Sequence, residues 1–596
     1  MAEPKAEYTK RLENHLRAAA DEDRSHLRLG YLKLVVTAAG LAVAWGIFAK
    51  HALSVFWLIA PIVAYAALAI WQGRVQRARN RANSAADFYR KGLARIEDRW
   101  AGTGQTGERF RDGNSVYADD LDLFGKGCLF ELLSTARLPM GENRLAGWLC
   151  DGAELDVILE RQNEVRELRD KLHLRESLAV IGEDLRARMN PETLFAWAEG
   201  PSTLPGAVMR FVAAILALAA AASAVYYLSA AEIWPLTAVL VVESAILTRL
   251  RKKAHAVLGA VDCNAEGLLL FSEILEQLER EPFESPRLKN LAAELLQGKE
   301  PASQGIRRFA RIVYWIDASD GLLAKLSELP FLYSIQVALA AEAWRRKYGA
   351  HLRHWAEMTG EMEALLSLAG YSYEHPADPF PEFVKTESGA GIFAGEELGH
   401  PLLPAAQCVR NSVRLDGQTR VLLVSGSNMS GKSTLLRVVG INAVLAMAGA
   451  PVRAKQLRLS PLKIGTRIRS TDSLQEGRSS FYTEILHIRK VFDGANGGAP
   501  LVFLFDELLE GTNSKDRRIG AESLIHGLLK RHAIGIVTTH DLALTEIGAS
   551  LGNVLRNMHF EDAVVDGKMK FDYKLRSGVV EKSNALELMR LIGLET

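Results

Sequence analysis

Gly426-Ser427-Asn428-Met429-Ser430-Gly431-Lys432-Ser433 fits the pattern G-x-x-x-x-G-K-[ST] and follows the apolar run Val421-Leu422-Leu423-Val424. A buried strand running into a glycine-bounded loop and then a helix is the setting in which backbone N–H groups converge on phosphates. On that reading Lys432 reaches the β- and γ-phosphates of ATP, and Ser433 ligates Mg2+. A pattern this short arises by chance in some chains holding 48 glycines. The weight therefore falls on partner motifs further along the chain.

Leu501-Val502-Phe503-Leu504-Phe505-Asp506-Glu507 is a second apolar run, and it ends in two acids. Downstream of a P-loop, this is a Walker B arrangement: Asp506 supports Mg2+ and Glu507 polarises the attacking water. Two acids also end many ordinary strands. Ile534-Gly535-Ile536-Val537-Thr538-Thr539-His540-Asp541 is a third run, ending in a histidine. At the carboxyl end of a strand beside a nucleotide, His540 would sense the γ-phosphate. A lone histidine there is more often structural, and the order P-loop, acid pair, strand-histidine shifts the balance.

That order resembles the ABC-type ATPases, and among them the MutS family. Ser425 to Thr434, with its Asn428-Met429 pair, resembles the family's P-loop, so Gly426, Ser427, Asn428, Met429, Ser430, Gly431, Lys432, Ser433 and Thr434 are the expected nucleotide contacts. Gly477-Arg478-Ser479-Ser480-Phe481-Tyr482-Thr483-Glu484 resembles the segment that acts on the other protomer's ATP, which makes Ser479 an expected γ-phosphate contact across a homodimer. Asp506-Glu507 with Gly511-Thr512 resembles the family's Walker B and the loop after it, and Thr538 to Asp541 its His loop. Asn557-Met558-His559 is similar to a late Asn-x-His whose histidine, here His559, lies near adenine. Tyr573 to Val579 and Ser583 to Gly593 resemble the end of the same domain. The resemblance implies catalysis by Glu507, Lys432 and His540, Mg2+ on Ser433 and Asp506, and ATP as the bound nucleotide.

Upstream, Asp120 to Gly125, Gly141 to Leu149 and Arg161 to Leu168 resemble the family's helical core and lever domain. Three departures stand out. The family's mismatch-reading domain carries a Phe-x-Glu wedge, and here its place is taken by apolar spans; Phe130-Glu131 and Phe560-Glu561 lack the spacing. Glu510 stands where the family has a loop arginine. Cys408 stands at the position that often stacks on adenine.

Those spans come in two pairs. Leu34 to Ala49 and Leu53 to Trp71 are apolar and separated only by Lys50, His51 and Ala52. Arg24, Arg28 and Lys33 precede them; Arg74, Arg77, Arg79 and Arg81 come after. Phe211 to Ala231 and Ile233 to Thr248 form the second pair, with Arg210 before and Arg249, Arg251, Lys252 and Lys253 after. A bilayer needs about 20 apolar residues per helix, and basic flanks on the same side of each pair put both ends in the cytoplasm. Buried helical hairpins are the alternative. Glu243, inside the last span, marks either a functional site or a helix-pair interface.

The expected fold is multidomain, α plus α/β. A transmembrane hairpin (about 29–49 and 53–71) and the helix after it occupy 1–100, and the first part of a helical core and lever domain occupies 101–204. A second hairpin (about 211–231 and 233–248) lies in 205–253, and the second helical part in 254–380. A P-loop ATPase domain with a mostly parallel sheet fills 381–596. Lys plus Arg number 72 against 71 Asp plus Glu, so global charge selects no polyanion. The 4 cysteines form no C-x-x-C pair, which argues against a disulfide framework or a zinc site. The implied function is a membrane-anchored ATPase in the lipid bilayer of the inner, cytoplasmic membrane. It would be associated with double-stranded DNA and related to mismatch repair. The alternative is an ATP-driven switch acting on a membrane or protein partner, with no nucleic acid. A transporter is the weakest reading, because four short spans offer little pathway.

Overall fold

The computed structural model describes residues 3–50, 54–111, 115–186, 191–204, 207–261, 264–296, 300–318, 327–329, 331–385, 389–468, 480–510, 512–565 and 568–580. The chain divides into two compact units, one of residues 1–90, 136–141 and 172–363, the other of 91–135, 142–171 and 364–596.

The first unit is helical. Helices Pro4–Phe48 and Ile59–Ile96 run antiparallel as a pair. Lys33 Nζ donates to Gln72 Oε1 at 2.8 Å and lies 4.9 Å from the Tyr65 ring centroid, while Arg79 pairs with Asp23 at 2.7 Å. Helices Ala207–Ala230 and Trp234–Gly259 also pack on each other. Three helices among the described residues are long and apolar enough to cross a membrane: Pro4–Phe48, Val55–Ile96 and Val208–Ala230. Their most apolar windows are 6%, 0% and 11% buried, so other protein scarcely covers them. The expected fourth span, 233–248, is not among these. Its helix continues through Arg249, Arg251, Lys252 and Lys253, and its apolar part is short. The rest of the unit is a bundle in which helix Ala265–Arg280 packs against Leu172–Arg186 and Ala302–Asp317. Its core includes stacked rings of Phe309 and Trp344, 4.1 Å apart, with Trp197 5.1 Å from Phe309.

The second unit holds the α/β region. Its strands are β1 (Glu382–Phe383), β2 (Phe393–Leu398), β3 (Asn411–Leu415), β4 (Val421–Ser425), β5 (Gln456–Leu459), β6 (Lys463–Arg467), β7 (Leu501–Phe505), β8 (Ile534–Thr539), β9 (Leu555–Val565) and β10 (Lys568–Ser577). One sheet has the order β10-β9-β4-β8-β7-β6 and is parallel apart from the β9–β10 hairpin. The other has the order β1-β5-β2-β3. Every residue of β4, β7 and β8 is buried, which is why these strands read as unbroken apolar runs rather than alternating ones. β8 approaches β7 so closely that a Cβ on Gly535 would lie 2.3 Å from Phe503 O.

Residues 91–135 pack in this same unit. Asp120 Oδ2 accepts from Thr466 Oγ1 (2.8 Å) and from the Ile468 N–H (2.9 Å), tying the segment to β6. Glu131 accepts from the backbone N–H groups of Gly102, Gly104 and Gly127 at 2.6, 3.0 and 2.8 Å, which orders the glycine-rich stretch between them.

Candidate functional site

The carboxyl ends of β4, β8 and β7 lie side by side, and the loops leaving β4 and β7 line a cavity of about 1120 Å³. Order reverses around β4, between β8 and β9, and such a switch point in an open parallel sheet leaves a crevice for a ligand. Asn428, Met429, Gly431, Lys432, Ser433 and Thr434 line the cavity from one side; Asp506, Glu507 and Glu510 line it from the other.

Helix Lys432–Ala448 starts directly after Gly431, whose φ of 106° lies in the region where only glycine is unstrained. A Cβ on Gly426 would stand 2.8 Å from Ser430 Oγ, so the loop closes only on glycine there. Lys432 is buried, and its ammonium donates to Gly426 O and Ser427 O, each at 2.9 Å. Burial lowers its pKa, and the nearby carboxylates of Glu507, Asp506 and Glu510 act in the opposite sense. The hydroxyls of Ser427 and Ser430 are buried and have no hydrogen-bond partner among the described residues. Buried donors of this kind are normally satisfied, and oxyanion oxygens in the loop would satisfy both.

Thr538, at the end of β8, sets the two acids. Its hydroxyl donates to Asp506 Oδ1 and accepts from the Glu507 N–H at 3.2 Å. Glu507 has φ 49°, a left-handed conformation costly for a residue with a Cβ and typical of functional positions. Its Oε1 lies 3.9 Å from Lys432 Nζ and 3.4 Å from His540 Nδ1. Glu507, Glu510 and His540 each place a ligand atom within 4.8 Å of the others. Burial, and then the Glu507 charge, pushes the Glu510 carboxyl above its usual range. The loop after β7 is held by Arg517, which donates to Leu509 O (3.2 Å) and Glu510 O (2.8 Å), and by Glu484, which accepts from the Leu509 N–H at 3.0 Å.

Of the expected residues, Asn428, Met429, Gly431, Lys432, Ser433, Thr434, Asp506 and Glu507 line one cavity, while Gly426, Ser427, Ser430 and His540 are not among its lining residues, His540 lying 3.4 Å from Glu507. His559 sits on β9 beside β4, paired with Ser425, and its Nδ1 faces Gly578 O at 3.1 Å; the adjacent Phe560 lines the cavity. Cys408 also lines the cavity, and its sulfur accepts from the His400 N–H at 3.2 Å. Ser479 lies outside the described residues, as do Gly511 and the stretch 581–596. Sequence reasoning missed Thr538 as the residue that orients both acids. It also missed Tyr573 as a cavity-lining ring. The only available signal was their place within segments already matched to the P-loop domain.

A family profile described as MutS domain V matches residues 422–596. The DNA mismatch repair protein MutS of Staphylococcus aureus strain MRSA252 is 31% identical over 268 residues, covering 44% of this chain and 30% of the relative. The proteins of the same name from strains JH9 and Newman give the same identity and coverage. The chain thus spans about 30% of the length of the curated relatives it matches. These matches make the C-terminal α/β region that bears the cavity similar to the corresponding part of the MutS proteins.

Proposed function

We propose that the chain is a membrane-anchored ATPase of MutS type that binds and hydrolyses ATP in the cavity at the end of β4, β7 and β8. The observation that carries this reading is the meeting of Lys432, Asp506 and Glu507 on that cavity, with two unpartnered serine hydroxyls in the loop. Gly426 to Thr434 wrap the phosphates, and Lys432 supplies the point cation. The oxygens of Ser433 and Asp506 are hard donors suited to Mg2+. Mg2+, when bound, draws charge from the β- and γ-phosphate oxygens. Glu507, whose carboxylate lines the cavity from the loop after β7, would orient the attacking water and take its proton. His540, 3.4 Å from that carboxylate, would sense the γ-phosphate, as the resemblance implies. His559 would lie near adenine, as the resemblance implies. Ser479 of the partner subunit would complete the site in a homodimer, as the resemblance implies.

The spans of 4–48 and 55–96, and the helix pair 207–230 and 234–259, would anchor the protein, with the ATPase region cytoplasmic. Hydrolysis would move the helical levers. Two targets are consistent with this engine. A DNA-associated role related to mismatch repair rests on the matched relatives, which are mismatch repair proteins by name. A role on a membrane or protein partner is favoured by the near balance of charge and by the apolar spans that stand where the resembled family has its mismatch-reading domain. Binding of duplex DNA by the detergent-solubilised chain, measured with and without ATP at rising salt, separates them. A steep loss of affinity with salt supports the DNA role, since it reports phosphate contacts. No binding at low salt supports the partner role. If Lys432→Ala binds ATP as well as the wild type, the nucleotide site itself is wrong.

A further inference from the structure

Helix Ile59–Ile96, part of one long apolar span, runs into the second unit, to which its residues from 91 onward belong. Two crossed backbone bonds close its end: the Arg99 N–H donates to Ala94 O at 2.8 Å, and the Asp98 N–H to Arg95 O at 3.2 Å. The residue at the Asp98 position of this motif turns left-handed and is usually glycine. Asp98 makes the turn with φ 54°, a conformation that glycine adopts without strain. Its carboxylate supplies what glycine lacks. Oδ2 accepts from the Ala405 N–H at 3.0 Å, across 307 residues of sequence. One turn back, Arg95 is buried and holds the helix end in place, donating to both carboxylate oxygens of Glu374 at 2.6 Å.

Ala405 lies in the loop between β2 and β3. That loop is tied within itself: the Gln407 and Cys408 N–H groups donate to Pro404 O at 2.9 and 3.1 Å, and the Leu403 N–H to His400 O at 3.2 Å. Asp98 holds it from outside. Leu403, Gln407, Cys408 and Val409, which flank Ala405 on both sides, line the cavity. None of the four is an ammonium or a carboxylate, so this wall suits the nucleoside rather than the phosphates that Lys432 and the metal ligands would meet.

We propose that Asp98 is a positioning residue for the nucleotide cavity: from the end of the apolar helix, its carboxylate fixes the loop 399–410 against the nucleoside part of the bound nucleotide. This rests on the nucleotide reading of the cavity and adds that the end of a helix long enough to span a membrane shapes the site.

The test is equilibrium binding of ATP and of inorganic tripolyphosphate to the full detergent-solubilised chain, with the ATPase rate and the thermal midpoint of each variant. Asp98→Gly makes the left-handed turn without strain and has no acceptor. It should weaken ATP and raise its KM by about fivefold, the scale of one hydrogen bond to a charged group at a partly exposed site. Tripolyphosphate binding and kcat should hold, and the thermal midpoint should not fall. Asp98→Asn keeps an acceptor oxygen and should bind ATP like the wild type. Unchanged ATP binding in Asp98→Gly, equal weakening of ATP and tripolyphosphate, or an Asp98→Asn protein as weak as Asp98→Gly would each overturn the proposal while leaving the nucleotide site intact. Wild-type protein that binds ATP no better than Lys432→Ala would instead overturn the nucleotide reading.

Discussion

At the scale of single residues, the candidate site depends on one hydroxyl that serves two acids. Thr538 donates to Asp506 and accepts from the Glu507 backbone, so removing it frees the carboxylate expected to hold Mg2+ and the backbone that aims the expected base. Thr538→Val keeps the shape and deletes the hydroxyl. We expect it to raise the Mg2+ concentration needed for half-maximal turnover and to lower kcat by about tenfold, on the scale of lost outer ligand support. Thr538→Ser should recover most of the loss. A magnesium titration of ATPase rate checks this, and an unchanged curve for Thr538→Val removes Thr538 from the catalytic arrangement. Lys432, Asp506 and Glu507 were legible in the sequence because each occupies a fixed offset from an apolar run. Thr538 was not legible in that role. Its partners lie 31 and 32 residues away, and nothing local to it records the pairing.

At the scale of elements, β4, β7 and β8 were legible because buried parallel strands are continuously apolar. The smaller sheet was not. β1 has 2 residues, and β2 pairs with both β3 and β5 through contacts that no local pattern encodes. The turn between β2 and β3 gives a pH prediction. His400 is buried there, and its Nδ1 accepts from the Leu402 N–H at 3.2 Å, a bond that needs the neutral ring. Burial, and then the nearby Arg437 charge, lowers its pKa to about 4 from an ordinary 6.5. Between those values the unfolded chain binds a proton that the folded chain refuses. Stability is therefore complete above pH 6.5 and falls as the pH drops toward 4, by up to about 3 kcal/mol. Thermal midpoints measured from pH 7 to pH 4.5 should fall less for His400→Gln than for the wild type. Parallel curves would show that His400 is already charged in the fold.

At the scale of the whole molecule, composition alone located the long apolar helices, because a window of uncharged residues needs no tertiary context. It was less informative about the second pair: the helix Trp234–Gly259 exists, but its apolar part ends at a basic run and falls short of the first three. The packing of residues 91–135 with the α/β region was also hidden, since the ties from Asp120 to Thr466 and Ile468 cross nearly 350 residues of sequence. If both helix pairs are anchors, a cysteine probe placed near Lys50 or Glu232 should react with an impermeant reagent outside intact cells. One near Arg79 or Lys252 should not. Release of the protein by carbonate alone would contradict integral spans.

On the proposed mechanism Glu507, on the loop after β7 and 3.9 Å from Lys432, takes the proton of the attacking water in ATP hydrolysis. The most direct test is single-turnover hydrolysis and ATP binding by the full solubilised chain, wild type against Glu507→Gln. The amide keeps the shape and can still orient water, but it cannot take a proton, so we predict retained ATP binding with turnover reduced by about 100-fold or more. Turnover at the wild-type rate in Glu507→Gln would contradict the claim.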